Sequence, residues 1–247
     1  MSEPVVLTRS EDRVFIITLN RPDKRNALTK EVVEHLNAAW RAFEASDDRV
    51  AIITANGDRA FTAGADLDDI PHDLWRAVPG IGIEVTKPVI AAVSGWVVGG
   101  GLLFVQYADL AVAADDTKFV YPEAKVGFSG GLIASLAARV PHKAVMELVL
   151  VGDPLEAQRA YEIGLVNKVV PAGQQLDAAL EYARKLAANA PLVLAQLKRF
   201  VGCTLPKGPS ELAGLARREV DAVTFSEDIE EGLAAFKAKR PPVFAGR

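Results

Sequence analysis

An α/β fold with a largely parallel sheet is predicted by three features of this 247-residue chain. Short β-branched runs recur through its first half, helical spacing lies between them, and the last third is almost wholly helical in pattern. Residues 14–19 (VFIITL) predict a strand closed by the turn cluster Asn20-Arg21-Pro22-Asp23. Thr29 precedes Val32, Leu36, Ala39, Trp40 and Phe43, which share one helical face, so its hydroxyl is placed to cap a helix. Residues 50–54 (VAIIT) predict a second strand, ended by Asn56-Gly57, and Lys87-Pro88 introduces a third, VIAAV. Residues 109–113 and 118–120 supply two more.

From Gly131 onward the pattern turns helical, over residues 132–140, 144–151, 155–162, 176–188, 192–201 and 212–223. The segment 226–240 is the most fully signed. Ser226 caps it, Glu227, Asp228 and Glu230 sit at the positive end of its dipole, Lys237, Lys239 and Arg240 at the negative end, and Pro241-Pro242 stops it. Its stripe of Ile229, Leu233 and Phe236 must dock on the core or on another subunit. No repeat of solenoid period and no long flexible linker interrupts the chain, so a core over residues 1–190 with a dependent helical region over 191–247 is expected.

Composition narrows the function. Half of the residues are hydrophobic and 24% are charged, which excludes a disordered or disulfide-stapled chain. The formal charge of −4 carries no basic footprint for nucleic acid. Cys203 is the single cysteine, and His35, His72 and His142 are scattered, so no metal site is expected. The N-terminus shows neither a secretory nor a mitochondrial presequence pattern, and the most apolar stretch, residues 95–105, is about half a membrane span long and carries four glycines. A cytoplasmic protein without membrane partners is expected.

Three local patterns bear on chemistry. Two glycine-containing turns, residues 60–67 (AFTAGADL) and 95–103 (GWVVGGGLL), each follow a predicted strand and stand where a helix would begin. Glycine lets the backbone approach a ligand there, and free N–H groups favour an oxyanion. Alone, either turn reads more readily as a packing device, and neither has phosphate-loop spacing. Third, Tyr121-Pro122-Glu123 sets a carboxylate among apolar residues, a candidate general base that would alone pass for a surface glutamate.

Together, and in this order, these patterns resemble the crotonase (enoyl-CoA hydratase/isomerase) superfamily. So do Leu19-Asn20-Arg21-Pro22 with Asn26-Ala27-Leu28, the stretch 160–170 (AYEIGLVNKVV), and Glu230-Glu231-Gly232 leading to Phe236. The resemblance spans essentially the whole chain. It implies a spiral core of ββα units, a C-terminal helical region that assembles trimers and paired trimers, and acyl-CoA thioester substrates with no further cofactor. It also implies that the amides of Ala65 and Gly100 stabilise a thioester enolate, with Glu123 as acid and base. The same resemblance places CoA near Lys24, Arg25, Asn26 and Ala27 and near Ala63, Gly64, Asp66 and Leu67, with Phe236 and Lys239 reaching a CoA that often belongs to a neighbouring subunit. Asp66 reads slightly better as a turn cap.

Two departures from the family pattern matter. Hydratases of the family carry a second glutamate where this chain has Leu103, in the substrate site. One carboxylate suits moving a proton between the α- and γ-carbons of an enoyl thioester, so Δ3,Δ2-isomerisation is favoured. A hydratase with an unusual water site and a non-catalytic acyl-CoA binder are the alternatives. The segment between Asp66 and Pro88 has 21 residues, fewer than is usual in the family, and it supplies the acyl wall. Ile70, Trp75 and Ile81 are candidate wall residues, with core packing the more ordinary role of each.

Overall fold

The computed structural model describes residues 3–247; the first two, where the reading of the N-terminus begins, lie outside that range. Ten strands divide between two sheets. The larger holds β1 (Val6–Glu11), β2 (Val14–Leu19), β3 (Val50–Ala55), β5 (Val89–Val93), β7 (Leu110–Ala114) and β10 (Lys168–Val170), in that spatial order. The smaller holds β4 (Ala60–Thr62), β6 (Trp96–Val98), β8 (Lys118–Val120) and β9 (Leu155–Glu156). Pairing is parallel except at the ends, where β1 meets β2 and β8 meets β9 antiparallel.

Three times in succession a strand of the large sheet passes directly into one of the small sheet: β3 to β4, β5 to β6, β7 to β8. The corners stack on one another. Phe61 N–H donates to Ser94 O at 2.9 Å, Trp96 N–H to Arg59 O at 3.2 Å, and Lys118 N–H to Gly95 O at 3.0 Å. These spiral units begin at unequal sequence intervals, which is why no repeat is visible in the sequence.

The large sheet is covered on both faces over its central strands β2, β3, β5 and β7, so these are apolar nearly throughout rather than alternating with polar residues. Phe15, Ile17 and Leu19 face the main core with Ala51, Ile53 and Val93. Val14 and Ile16 face the other way with Ile52, Ile90 and Val112, against Ala179, Leu180 and Ala183 of α6 (Gln175–Ala188). Helix α1 (Lys30–Ala45) follows the predicted cap: the Thr29 side chain accepts from Val32 N–H at 3.2 Å. It buries Leu36, Trp40 and Phe43 in the main core, and the Trp40 indole donates to Ala77 O at 2.8 Å.

Short helices punctuate the spiral: α2 (Gly101–Gln106), α3 (Glu123–Val126), α4 (His142–Met146) and α5 (Ala157–Glu162). Helices α7 (Pro191–Thr204), α8 (Pro209–Thr224) and α9 (Glu227–Ala238) end the chain, and no described helix is long and apolar enough to cross a membrane. Ser226 caps α9 as expected, accepting from Ile229 N–H. The C-terminal tail folds back on α9: Glu231 takes both terminal nitrogens of Arg240 at 2.6 and 2.7 Å, and the guanidinium holds its carboxyl down to about 2.

Several expectations are corrected. Residues 132–138 form a 3-10 helix rather than an α-helix, bounded by Gly131 in a left-handed conformation and, beyond Val140, by Pro141. The segment 144–151 ends in a π-turn over Glu147–Val151, and the segment 155–162 begins as β9, paired with β8, before α5 starts. Strands β1, β4, β6 and β10 had no sequence signal because most are three residues long; β1 is longer but lies at the sheet's exposed edge and is largely polar. The turn at 60–67 leads into no helix. Its backbone is held extended by a bridge between Leu28 and Ala65, and the next helical turn is a short 3-10 segment at Leu74–Ala77.

Gly95, at φ +61°, stands at the second corner, where an added Cβ would lie 2.4 Å from Arg59 O. Neither that backbone region nor the neighbouring carbonyl accommodates a side chain. Gly95→Ala is therefore expected to cost at least about 2 kcal/mol and to lower the thermal midpoint by about 5 °C, measured by calorimetry.

Candidate active site

Two backbone loops and one short helix build the site. Four hydrogen bonds tie residues 25–28 to residues 62–66. Ala63 N–H donates to Arg25 O, Leu28 N–H to Gly64 O, Asp66 N–H to Leu28 O, and the Thr62 hydroxyl to Asn26 O at 2.6 Å. Gly64 N–H donates to the Thr62 hydroxyl at 3.1 Å. Around Ala65, then, every neighbouring N–H is occupied, while that of Ala65 itself makes no hydrogen bond among the described residues.

The second loop follows β6. Gly99, at φ +53°, donates to Val120 O, and the chain then enters α2, whose first bonds run from Leu102 N–H to Gly99 O and Leu103 N–H to Gly100 O. Gly100 N–H is left without a partner among the described residues, as expected of the first turn of a helix. The two loops pack tightly. An added Cβ on Gly64 would lie 3.1 Å from Val98 O, and one on Gly101 2.3 Å from Thr62 Cγ2.

Ala65, Gly100, Glu123 and Leu103, far apart in sequence, border one cavity of about 840 Å³. Ala63, Gly64 and Leu67 border it too. Glu123 opens α3 and is only 8% exposed; its Oε2 accepts from Gly130 N–H at 3.0 Å. Tyr121 is buried beside it. Burial first, and the Glu123 carboxylate second, push the phenol's pKa up, so it stays protonated. Ile70, Leu74, Trp75, Phe128 and Ile133 make most of the remaining wall apolar, and the only carboxylate bordering the cavity, among the described residues, is that of Glu123. A second cavity of about 400 Å³, walled in part by Tyr107, Arg139 and Glu211, gathers none of the predicted catalytic residues.

Other predicted residues lie elsewhere. The Asn26 side chain is buried and fully engaged, donating to Asn56 O and Ala60 O at 2.9 and 3.0 Å and accepting from Arg21 N–H at 2.8 Å. It holds the two loops together and has no donor left for a ligand. Asp66 is the turn cap, accepting from Asp68 N–H and pairing with Arg21 at 3.1 Å. Lys24 and Arg25 are exposed outside the cavity, and Ala27 contributes its carbonyl to Arg21. Phe236, 85% exposed, and Lys239 lie at the end of α9, away from this cavity. Of the proposed wall residues, Ile70 and Trp75 line the cavity, whereas Ile81 is buried and borders the smaller one.

Sequence reasoning missed a whole wall. Ser210, Ala213, Gly214 and Arg217 reach the cavity from α8. Their 3-, 4- and 7-residue spacing marks one helical face of small residues, a signal present in the sequence but without a partner to give it meaning. His72 borders the same cavity.

Residues 9–247 match the family described as enoyl-CoA hydratase/isomerase. A protein named probable enoyl-CoA hydratase from Rhizobium meliloti (strain 1021) is 35% identical, and a carnitinyl-CoA dehydratase from Salmonella enteritidis PT4 is 36% identical, each over 100% of both chains. Among solved structures, a carnitinyl-CoA hydratase from Mycobacterium avium aligns over 100% of both chains, at 33% identity and a TM-score of 0.77. An enoyl-CoA hydratase from Mycobacterium tuberculosis H37Rv aligns over 99% of this chain and 100% of its own, at 37% identity and a TM-score of 0.75.

The Asn26 side chain carries three buried hydrogen bonds, each worth about 1 kcal/mol. Asn26→Asp keeps the size and the contact to Arg21 but turns both donors into acceptors facing carbonyls. It is expected to destabilise the fold by about 2 kcal/mol or more, seen as a lower urea midpoint at unchanged slope.

Proposed function

The chain belongs to the enoyl-CoA hydratase/isomerase family of the crotonase superfamily, whose substrates are acyl-CoA thioesters, and we propose that it isomerises 3-enoyl thioesters to 2-enoyl thioesters. The observation that carries this reading is the pairing of two unpartnered main-chain donors with a single buried carboxylate in one largely apolar cavity. The thioester oxygen accepts from the Ala65 and Gly100 N–H groups. As Glu123 removes a proton from the α-carbon, charge moves onto that oxygen, and each preorganised donor contributes about 3 kcal/mol in the transition state. The same carboxyl then returns the proton to the γ-carbon, so the double bond shifts and the base is regenerated. Its Oε2 is anchored by Gly130 N–H, which leaves Oε1 to face both carbons in turn. Leu103, in place of a second acid, offers no group to activate water.

The names of the relatives favour a second reading, hydration of a 2-enoyl thioester or its reverse. In that case Glu123 works on a water held by groups other than a second carboxylate, and the protonated Tyr121 phenol beside it is the donor best placed to orient that water. Incubation in H₂¹⁸O with a 3-enoyl-CoA and, separately, with a 2-enoyl-CoA separates the two. Migration of the double bond in the first and no label in the second is expected; ¹⁸O at the β-carbon of the second, with the 3-enoyl thioester left unchanged, would establish hydration instead.

Glu123→Gln is expected to lower kcat by about 10²- to 10⁴-fold with acyl-CoA affinity retained, and retained turnover would overturn the assignment of the base. Gly100 has φ −57°, compatible with alanine and with proline, and a Cβ there meets only the mobile end of Leu74. Gly100→Ala keeps the N–H and Gly100→Pro removes it. The proline variant is expected to be slower than the alanine variant by about 10²- to 10³-fold.

A homotrimer, or two trimers paired as a hexamer, completes the proposal. Leu192 and Phe200 of α7 and Leu233 and Phe236 of α9 are exposed on a single chain, large apolar side chains that a partner surface would cover. Sedimentation equilibrium at the mass of one chain would overturn it.

A further inference from the structure

The cavity wall supplied by α8 carries a charge that the proton shuttle does not use. Small residues let this helix come close: a Cβ on Gly214 would stand 2.7 Å from Ile81 Cγ2. The Ser210 end abuts Gly131, next to the Gly130 N–H that holds Glu123. Arg217 lies seven residues further along, about 10 Å of helix rise from that end. The turn at Leu74–Ala77 packs on α8, and His72 and Trp75 border the same cavity. The Arg217 Nε–H donates to Asp221 at 2.9 Å, but that carboxylate also faces the guanidinium of Arg76 at 3.5 Å, so one anion serves two cations. The two terminal nitrogens of Arg217 have no hydrogen-bond partner among the described residues. Arg217, in the middle of α8, is the one permanently cationic side chain bordering the cavity among the described residues, and most of the remaining wall is apolar.

We propose that Arg217 selects acyl-CoA thioesters whose far end carries a carboxylate and disfavours those that end in a quaternary ammonium. The inference rests on the acyl-CoA reading above and adds the class of acyl group. A guanidinium with both terminal nitrogens free binds a carboxylate through two parallel hydrogen bonds, and with this side chain 60% exposed the paired geometry, rather than a dry surround, supplies the preference. A trimethylammonium end meets like charge at Arg217 and finds its only bordering counter-charge at Glu123, where the proton chemistry takes place.

Calorimetric titration of the full-length protein with three saturated thioesters tests this: octanoyl-CoA, the mono-CoA thioester of the C8 dicarboxylic acid, and an analogue ending in trimethylammonium. Binding of the carboxylate-ended thioester about tenfold tighter than the neutral one, and weakest binding of the cationic one, is the expected order. Arg217→Met should bring the first two within about twofold of each other, Arg217→Lys should restore part of the difference, and Arg217→Glu should reverse the order of the charged pair. Equal affinities in the unsubstituted protein, or a preference that survives Arg217→Met, would overturn the proposal. So would a uniform loss across all three in Arg217→Met that disappears with 3′-dephospho-CoA thioesters, because Arg217 would then hold a phosphate of CoA. If no thioester binds to protein of unaltered melting behaviour, the acyl-CoA reading itself fails, an outcome separate from equal affinities.

Discussion

The site depends on leaving the Ala65 and Gly100 N–H groups unsatisfied in a partly buried place, and around Ala65 the structure achieves this by giving the N–H groups of Ala63, Gly64 and Asp66 partners of their own. Asn26 is central. Its side chain spans the turn at 21–26 and the carbonyls of Asn56 and Ala60, fixing residues 25–28 beside residues 62–66. Once Ala63, Gly64 and Asp66 have partners, the spare amide is that of Ala65. An unmade buried hydrogen bond is costly, and here the cost falls at two amides that border the cavity.

The two-sheet spiral brings the second donor to the first. Because β4 and β6 are neighbours in the small sheet, the loops that leave them are neighbours as well, and the close contact of Gly64 with Val98 fixes their spacing. The third strand of the series, β8, delivers Tyr121 and Glu123 by the same geometry. One spiral step contributes one candidate element of the site, so the order of these elements in the sequence reflects the order of strands in the small sheet.

Electrostatically the cavity is sparse. Among the described residues, one carboxylate and one guanidinium border otherwise mostly apolar walls, with the tyrosine beside the carboxylate held neutral. Leu103 keeps the wall beyond Gly100 free of a second acid. Helix α8 closes this space through a face of small residues, and α7 and α9 leave their apolar faces outward. Core, site and surface thus divide the helical third of the chain among them.

The sequence alone determined the strands long enough to show β-branched runs, the capped helices beginning after Thr29 and Ser226, and the order of the three site patterns, because each rests on local spacing and turn chemistry. It read the stretch 60–67 as a place where a helix could begin, since its glycine follows a predicted strand. Tertiary structure decided this differently, because the bridge from Leu28 to Ala65 competes with helix, and it engages the Asn26 amide with carbonyls about 30 residues away. The three-residue strands, the burial of Glu123 and the approach of Arg217 likewise depend on partners distant in the chain. Periodicity records which face of an element is apolar; what that face meets is settled only when the whole chain has closed around it.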